Sequence, residues 1–492
     1  MRWFDAAANE AVKPDKPGPW VAVVESKAPN GTVARRSMTF YVRPPMFLLF
    51  LFPATNLTFS IPPFPSPIVE AVWREHQSEI DRDAHDLLFR AFNDSEAGAR
   101  LLAGLGGAPA LGRPPKTFET AAARVEEMHL SAKRKLHGLP AEGKTLKPPQ
   151  AISPPAPALH EGTAAEAGVA PELVDKLRAL CREWAEDSKQ PFTTLVARRG
   201  VVVLHEAFGR RPDGRPAALD DRNEVFSITK TATAILFSRF LESGLVRLDD
   251  PISTVLPDYP KDDPHVPTFR QCFTHTAGLA GHGDFGGMRN VFLDNVVLNG
   301  LDAVFPGDTY AYSGMGFDLS ASAMELITGK ASARLYHDEL CEPFGLGDVP
   351  FDGAAAGGHF TAFELGVLAQ WLANGGAYGD RRHVSPEVFA SMLPEPVLKR
   401  WPKAGYNDDE GIGMHWLRIP KPGAPANSKK PEDLLFGPRM VGHGSLSQCM
   451  LMADLDSGLI ITQSRSTGGP KFAEWSAKFY KTIAEGLRDG VK

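Results

Sequence analysis

Two strand–turn–strand stretches far apart in the chain constrain its fold more than any other feature. "FTTLVARRGVVVLHEAFG" (192–209) turns at Arg199-Gly200, and "CMLMADLDSGLIITQS" (449–464) turns near Asp456-Ser457-Gly458. Each reads as an antiparallel hairpin. A helical pattern, "PELVDKLRALCREWAED" (171–187), precedes the first, and another over 472–487 follows the second. Between the hairpins the pattern is mostly helical. Strands at both ends with helices between predict an antiparallel sheet built from both termini of one domain, carrying a helical insert. The fold class expected is mixed α/β of the α+β type.

The chain has 492 residues, too many for one ordinary core, so two or three domains are expected. "WVAVVES" and "SMTFYVR" flank Asn30-Gly31 as a hairpin, and "MFLLFLFPATNLTFSI" supplies one or two more strands. Helical periodicity follows from Ile68 to about Leu105 and from Phe118 to about Leu136. A proline-rich stretch without periodicity comes next. These shifts divide the chain into an N-terminal α+β domain (1–138), a linker (139–158) and a main domain (159–492).

Hydrophobic content of 43% and charged content of 23% are those of a globular protein. A net charge of −6 gives no support to nucleic-acid binding. No apolar run is long enough to span a bilayer, and the N-terminus lacks a signal-type apolar core, so a cytoplasmic protein without membrane partners is expected. The four cysteines have no metal-ligand spacing and read as reduced thiols. His-Glu-x-x-His and Gly-x-Ser-x-Gly are missing, and neither a metal nor a cofactor is expected.

"FSITKTATAILFSRF" (226–240) reads as a helix with a wide apolar stripe, opening on Ser227 with Lys230 one turn later. A hydroxyl at a helix start beside an amine is one way to prepare a serine nucleophile. About one such Ser-x-x-Lys is expected by chance in a chain of this composition, so the pair decides nothing alone. Four more stretches follow it in order: "TFRQCFTHTAGL", "FPGDTYAYSGMGFDLSASAMELITGK", "HFTAFELGVLAQWLANGG" and "VGHGSLSQCMLMADLDSGLIITQS".

In their order and spacing these motifs resemble the serine β-lactamase and penicillin-binding-protein-like superfamily, nearest its class C β-lactamase, D-Ala-D-Ala carboxypeptidase and family VIII esterase branch. The likeness covers roughly residues 160 to 490. It implies Ser227 as nucleophile with Lys230, and Tyr312-Ser313-Gly314 as a relaxed Tyr-x-Asn motif. His443-Gly444-Ser445 becomes a variant of the third motif, carried on an edge strand. The implied oxyanion hole is the backbone N–H of Ser227 and of Leu446. Gly314, Gly444 and Ser445 would line the substrate, with His443 beside Tyr312 as a further catalytic residue that bonds substrate or holds the local charge balance, and His275 is expected to close a loop. The proton acceptor is Tyr312 as phenolate or Lys230 as amine, a coupled pair that sequence does not resolve.

The activity implied is a serine hydrolase forming an acyl-enzyme, with a small-molecule carboxylic ester as substrate and homo-oligomerisation left open. The alternatives are a β-lactamase or D-amino-acid peptidase or amidase, and a non-catalytic binding protein on the same fold. Gly314 stands where the family carries an asparagine, which turns the expectation away from amides.

Overall fold

The computed structural model describes residues 137–257, 259, 261, 263–278, 305–351 and 353–488, helical residues 127, 130, 131, 134 and 135, and the backbone of strands within residues 4–59. It divides into two compact units. One comprises residues 1–145, 247–338 and 400–406; the other comprises 146–246, 339–399 and 407–492.

The second unit carries a seven-stranded sheet. In chain order its strands are β1 (His160–Glu161), β2 (Phe192–Arg198), β3 (Val201–Phe208), β4 (His415–Trp416), β5 (Met440–His443), β6 (Met450–Asp454) and β7 (Leu459–Ser464). Their spatial order is β4-β5-β6-β7-β2-β3-β1, antiparallel throughout except for β1 on β3. Both hairpins expected from sequence form. Arg199 and Gly200 take φ of 53° and 87°, the left-handed pair that a two-residue turn needs to follow strand twist. Residues β7 and β2 pair Leu459 with Arg198 through Ser464 with Thr193, so the two ends of the domain meet at the sheet centre.

Helices α1 (Leu173–Ser188), α2 (Thr229–Glu242), α3 (Ala362–Ala373) and α4 (Phe472–Gly486) complete this unit. α1 packs on α4 and on β3, closing a core of Trp184, Phe192, Phe208, Ile461, Trp475 and Phe479. α3 packs against β6, β7 and β2. Covered by neighbours, all seven residues of β2 are buried, which is why "FTTLVAR" reads as a continuous run and not an alternation. The proline-rich stretch contributes to this unit: Gln150–Ala151 pairs with Arg381–Arg382, and β1 joins the main sheet.

In the first unit, Gly18–Lys27 pairs antiparallel with Val33–Val42, and Met46–Phe47 with Thr58–Phe59. The expected turn at Asn30-Gly31 and the helical pattern over 68–105 lie outside the described residues, as does most of that over 118–136. Helix Phe269–Phe273 packs on helix Met315–Thr328, which is buried along nearly its whole length. No helix among the described residues is long and apolar enough to cross a membrane. All four cysteines are buried and unpaired.

Candidate active site

Ser227 sits where an extended segment turns into α2. Asn223–Glu224 pairs with His359–Phe360, and the Val225 N–H donates to Gly358 O. Phe226 then takes φ 42°, a conformation costing a non-glycine residue about 1–3 kcal/mol, immediately before the serine. A short 3₁₀ turn, Phe226–Ile228, leads into α2.

The stripe expected on this helix is not what forms. Residues 229–240 are buried all round, and the polar ones have partners: Thr231 Oγ1 donates to Gly413 O at 2.7 Å and Thr233 Oγ1 to Ala354 O at 2.6 Å. Hydrogen bonds like these let a helix be buried on its polar side as well. Lys230 belongs to that buried set at 3% exposure. Its Nζ lies 3.3 Å from Ser227 Oγ and 3.0 Å from Ala355 O. As an ammonium it donates to both; as an amine it can receive the serine proton.

β5 lies against the Phe226–Ile228 turn and brings His443 to this end of the sheet. The resemblance implied an edge strand here, and the structure corrects that: β4 covers β5, with His415 opposite Gly442 and Trp416 opposite Val441. Two glycines allow this arrangement. A Cβ on Gly442 would stand 1.9 Å from Leu451 O, and one on Gly413 would stand 2.4 Å from Lys230 O. Only glycine permits such approaches. Thus "GIGMHW" is pinned to α2 at Gly413 and delivers His415 two residues later.

Beyond His443 the chain makes a turn, with Gln448 N–H donating to Ser445 O. Ser447 Oγ donates to Glu224 O at 3.0 Å and lies 2.7 Å from Ser445 Oγ, tying this turn to the approach to Ser227. Leu446 is at the tip, 80% exposed, and a Cβ on Gly444 would meet open space.

Two residues of this region escaped the sequence reading. His415 Nε2 lies 3.1 Å from His443 Nε2, and buried Glu410 brings Oε1 to 3.2 Å from His415 Nδ1. Neither belongs to a recognisable motif. A two-residue strand leaves no periodic pattern, and only the neighbouring glycines hinted at a close approach.

Tyr312 belongs to the first unit. Its ring, half exposed, lies 4.3 Å from that of His275. His275 is buried, takes φ 58°, and accepts the Ser313 N–H on Nδ1 at 3.1 Å, while its own carbonyl accepts from Ala311. It braces the Tyr312 loop from both sides. Gly314 caps helix Met315–Thr328 at φ −80° and ψ −20°, ordinary right-handed backbone.

The beta-lactamase family model matches residues 190–473. The chain belongs to the beta-lactamase family. Among curated relatives, the D-alanyl-D-alanine-carboxypeptidase/endopeptidase AmpH of Escherichia coli (strain K12) is 27% identical over 179 residues. That match covers 32% of this chain and 44% of the relative. Esterase EstB of Burkholderia gladioli is 27% identical over 185 residues, covering 32% and 46%. The matched stretch therefore spans less than half of either relative. A solved family VIII carboxylesterase superposes with a TM-score of 0.51 at 17% identity, covering 65% of this chain and 98% of that one, a likeness of fold.

Proposed function

We propose that this beta-lactamase-family chain is a carboxylic ester hydrolase that works through an acyl-enzyme on Ser227. The observation that carries the reading is Lys230: a buried amine 3.3 Å from a hydroxyl on a strained turn. In the reaction, Ser227 Oγ attacks the ester carbonyl while its proton passes to a base, a role the family's motif order gives to Tyr312. The tetrahedral oxyanion is held by the N–H groups of Ser227 and Leu446, each such donor being worth about 2.7–4 kcal/mol. Collapse expels the alcohol, which takes up the proton. Water then enters by the same route and releases the acid.

Preference for esters rests on Gly314. Its backbone is ordinary, so glycine is not there for conformational reasons. Gly314 brings no amide side chain of its own to an amide substrate, and a site without that bond loses its preference for substrates that make it. Esters, with a better leaving group, need less such help.

A panel of p-nitrophenyl esters with nitrocefin and D-alanyl-D-alanine peptides alongside tests this. Short activated esters are expected to turn over, and the others weakly or not at all. Gly314→Asn should raise nitrocefin turnover about five- to tenfold, the worth of one added hydrogen bond. Nitrocefin hydrolysed faster than every ester by the wild type would replace the ester reading with a β-lactamase.

A further inference from the structure

The contacts running from Glu410 to Gly444 determine where their protons are. His443 Nδ1 lies 2.7 Å from Gly444 O. A carbonyl only accepts, so Nδ1 carries the hydrogen and Nε2 of a neutral ring carries a lone pair. That lone pair faces His415 Nε2 at 3.1 Å, so the hydrogen between the two rings belongs to His415. With Nε2–H used there, His415 Nδ1 would be bare in a neutral ring, yet it stands 3.2 Å from the buried Glu410 carboxyl. Two lone pairs at that distance repel, so one more proton lies between Glu410 and His415.

We propose that Glu410 and His415 are positioning residues for His443: the proton shared between them fixes His443 as the neutral Nδ1–H tautomer with Nε2 already engaged. His443 is then neither a general base nor a second cation beside Lys230. It is a fixed polar wall of the site. This rests on the reading of the third motif as part of the active site.

The surrounding charges fit. Burial holds the His415 imidazolium below the ordinary histidine range; Asp408 pulls the other way and Lys230, from α2, adds to the lowering. Asp408 itself is tied to Lys429 and Arg418. The shared proton is held in the 3.2 Å contact between the Glu410 carboxyl group and His415 Nδ1. Removing it with base leaves a carboxylate, which draws the His415 hydrogen over to Nδ1. Two Nε2 lone pairs then face each other across 3.1 Å, and His443 loses its hold.

Ring-¹⁵N histidine NMR on the full chain, with signals assigned through His443→Gln and His415→Gln, tests this without any substrate. His443 should report Nδ1–H at neutral pH. An Nε2–H or doubly protonated His443 in the wild type would overturn the proposal. With p-nitrophenyl acetate, Glu410→Ala should lower kcat about tenfold or more with KM little changed. Glu410→Gln, whose amide N–H replaces the carboxyl donor, should restore kcat to within about threefold of wild type. The wild type should show an alkaline fall in kcat as the shared proton leaves, and Glu410→Gln should remove it. A fall that persists in Glu410→Gln would contradict the relay. A wild type that cleaves no ester while showing Nδ1–H His443 would sink the ester reading and leave the relay standing.

Discussion

Lys230 and Arg465 are both buried in the sheet-bearing unit, at 3% and 0% exposure, but they are held in opposite ways. Lys230 Nζ is aimed at oxygen, at the Ser227 hydroxyl and the Ala355 carbonyl. Arg465 is boxed by carbon. Its guanidinium lies 4.4 Å from the Trp184 ring, 4.2 Å from Phe192 and 5.2 Å from Phe472. One nitrogen donates to Gln463, while Nε and Nη1 have no hydrogen-bond partner among the described residues. Burial pulls the Arg465 pKa down to about 10. Stacking on aromatic faces offsets part of that desolvation. A buried base directed at a hydroxyl is arranged for proton transfer; one directed at ring faces fills volume.

The contrast can be broken from either side. Lys230→Ala should lower kcat/KM for p-nitrophenyl acetate by about 10²- to 10⁴-fold, the range for a lost acid–base partner, with the folded state retained. A variant within tenfold of wild type would leave Lys230 as a structural amine and end the contrast. Tyr312→Phe should cost at least about a hundredfold in kcat. The tilted ring contact with His275 does not involve the hydroxyl, so thermal stability should hold. Near-normal turnover there would move the base role to Lys230. Arg465→Leu should have the smallest effect. Replacing a buried, incompletely paired charge by apolar volume is expected to shift stability by no more than about 1 kcal/mol, in either direction, by urea unfolding. Its ester turnover should stay within about threefold. A large loss of activity would show that Arg465 communicates with the site through Cys449, whose Sγ donates to its carbonyl.

Sequence carried the parts of this structure that repeat locally. The hairpins over 192–208 and 450–464 were readable because apolar strand-forming runs end on turn residues, and Arg199-Gly200 adopts the left-handed pair such turns require. Ser227, Lys230, Tyr312 and His443 were readable only as ordered motifs. Spacing alone put Lys230 on a helix face and did not foretell that the whole helix is buried, because that depends on carbonyls at Gly413 and Ala354, far along the chain. The Glu410–His415–His443 chain was illegible for a related reason. It depends on a two-residue strand, and on Gly442 and Gly413 admitting neighbours closer than any Cβ could. Likewise, nothing in "RSTGG" announces that Arg465 meets Trp184 and Phe192, since those contacts join residues that share no local pattern.

The most direct test of the central claim is intact-mass spectrometry of the full chain after brief exposure to a fluorophosphonate or a slowly deacylating ester, followed by peptide mapping. A single adduct on Ser227 is predicted for the wild type. Ser227→Ala should show none and should have no turnover, since no other serine in the chain has a lysine three residues on. An adduct on a different serine, or ester hydrolysis surviving in Ser227→Ala, would contradict the assignment of Ser227 as nucleophile.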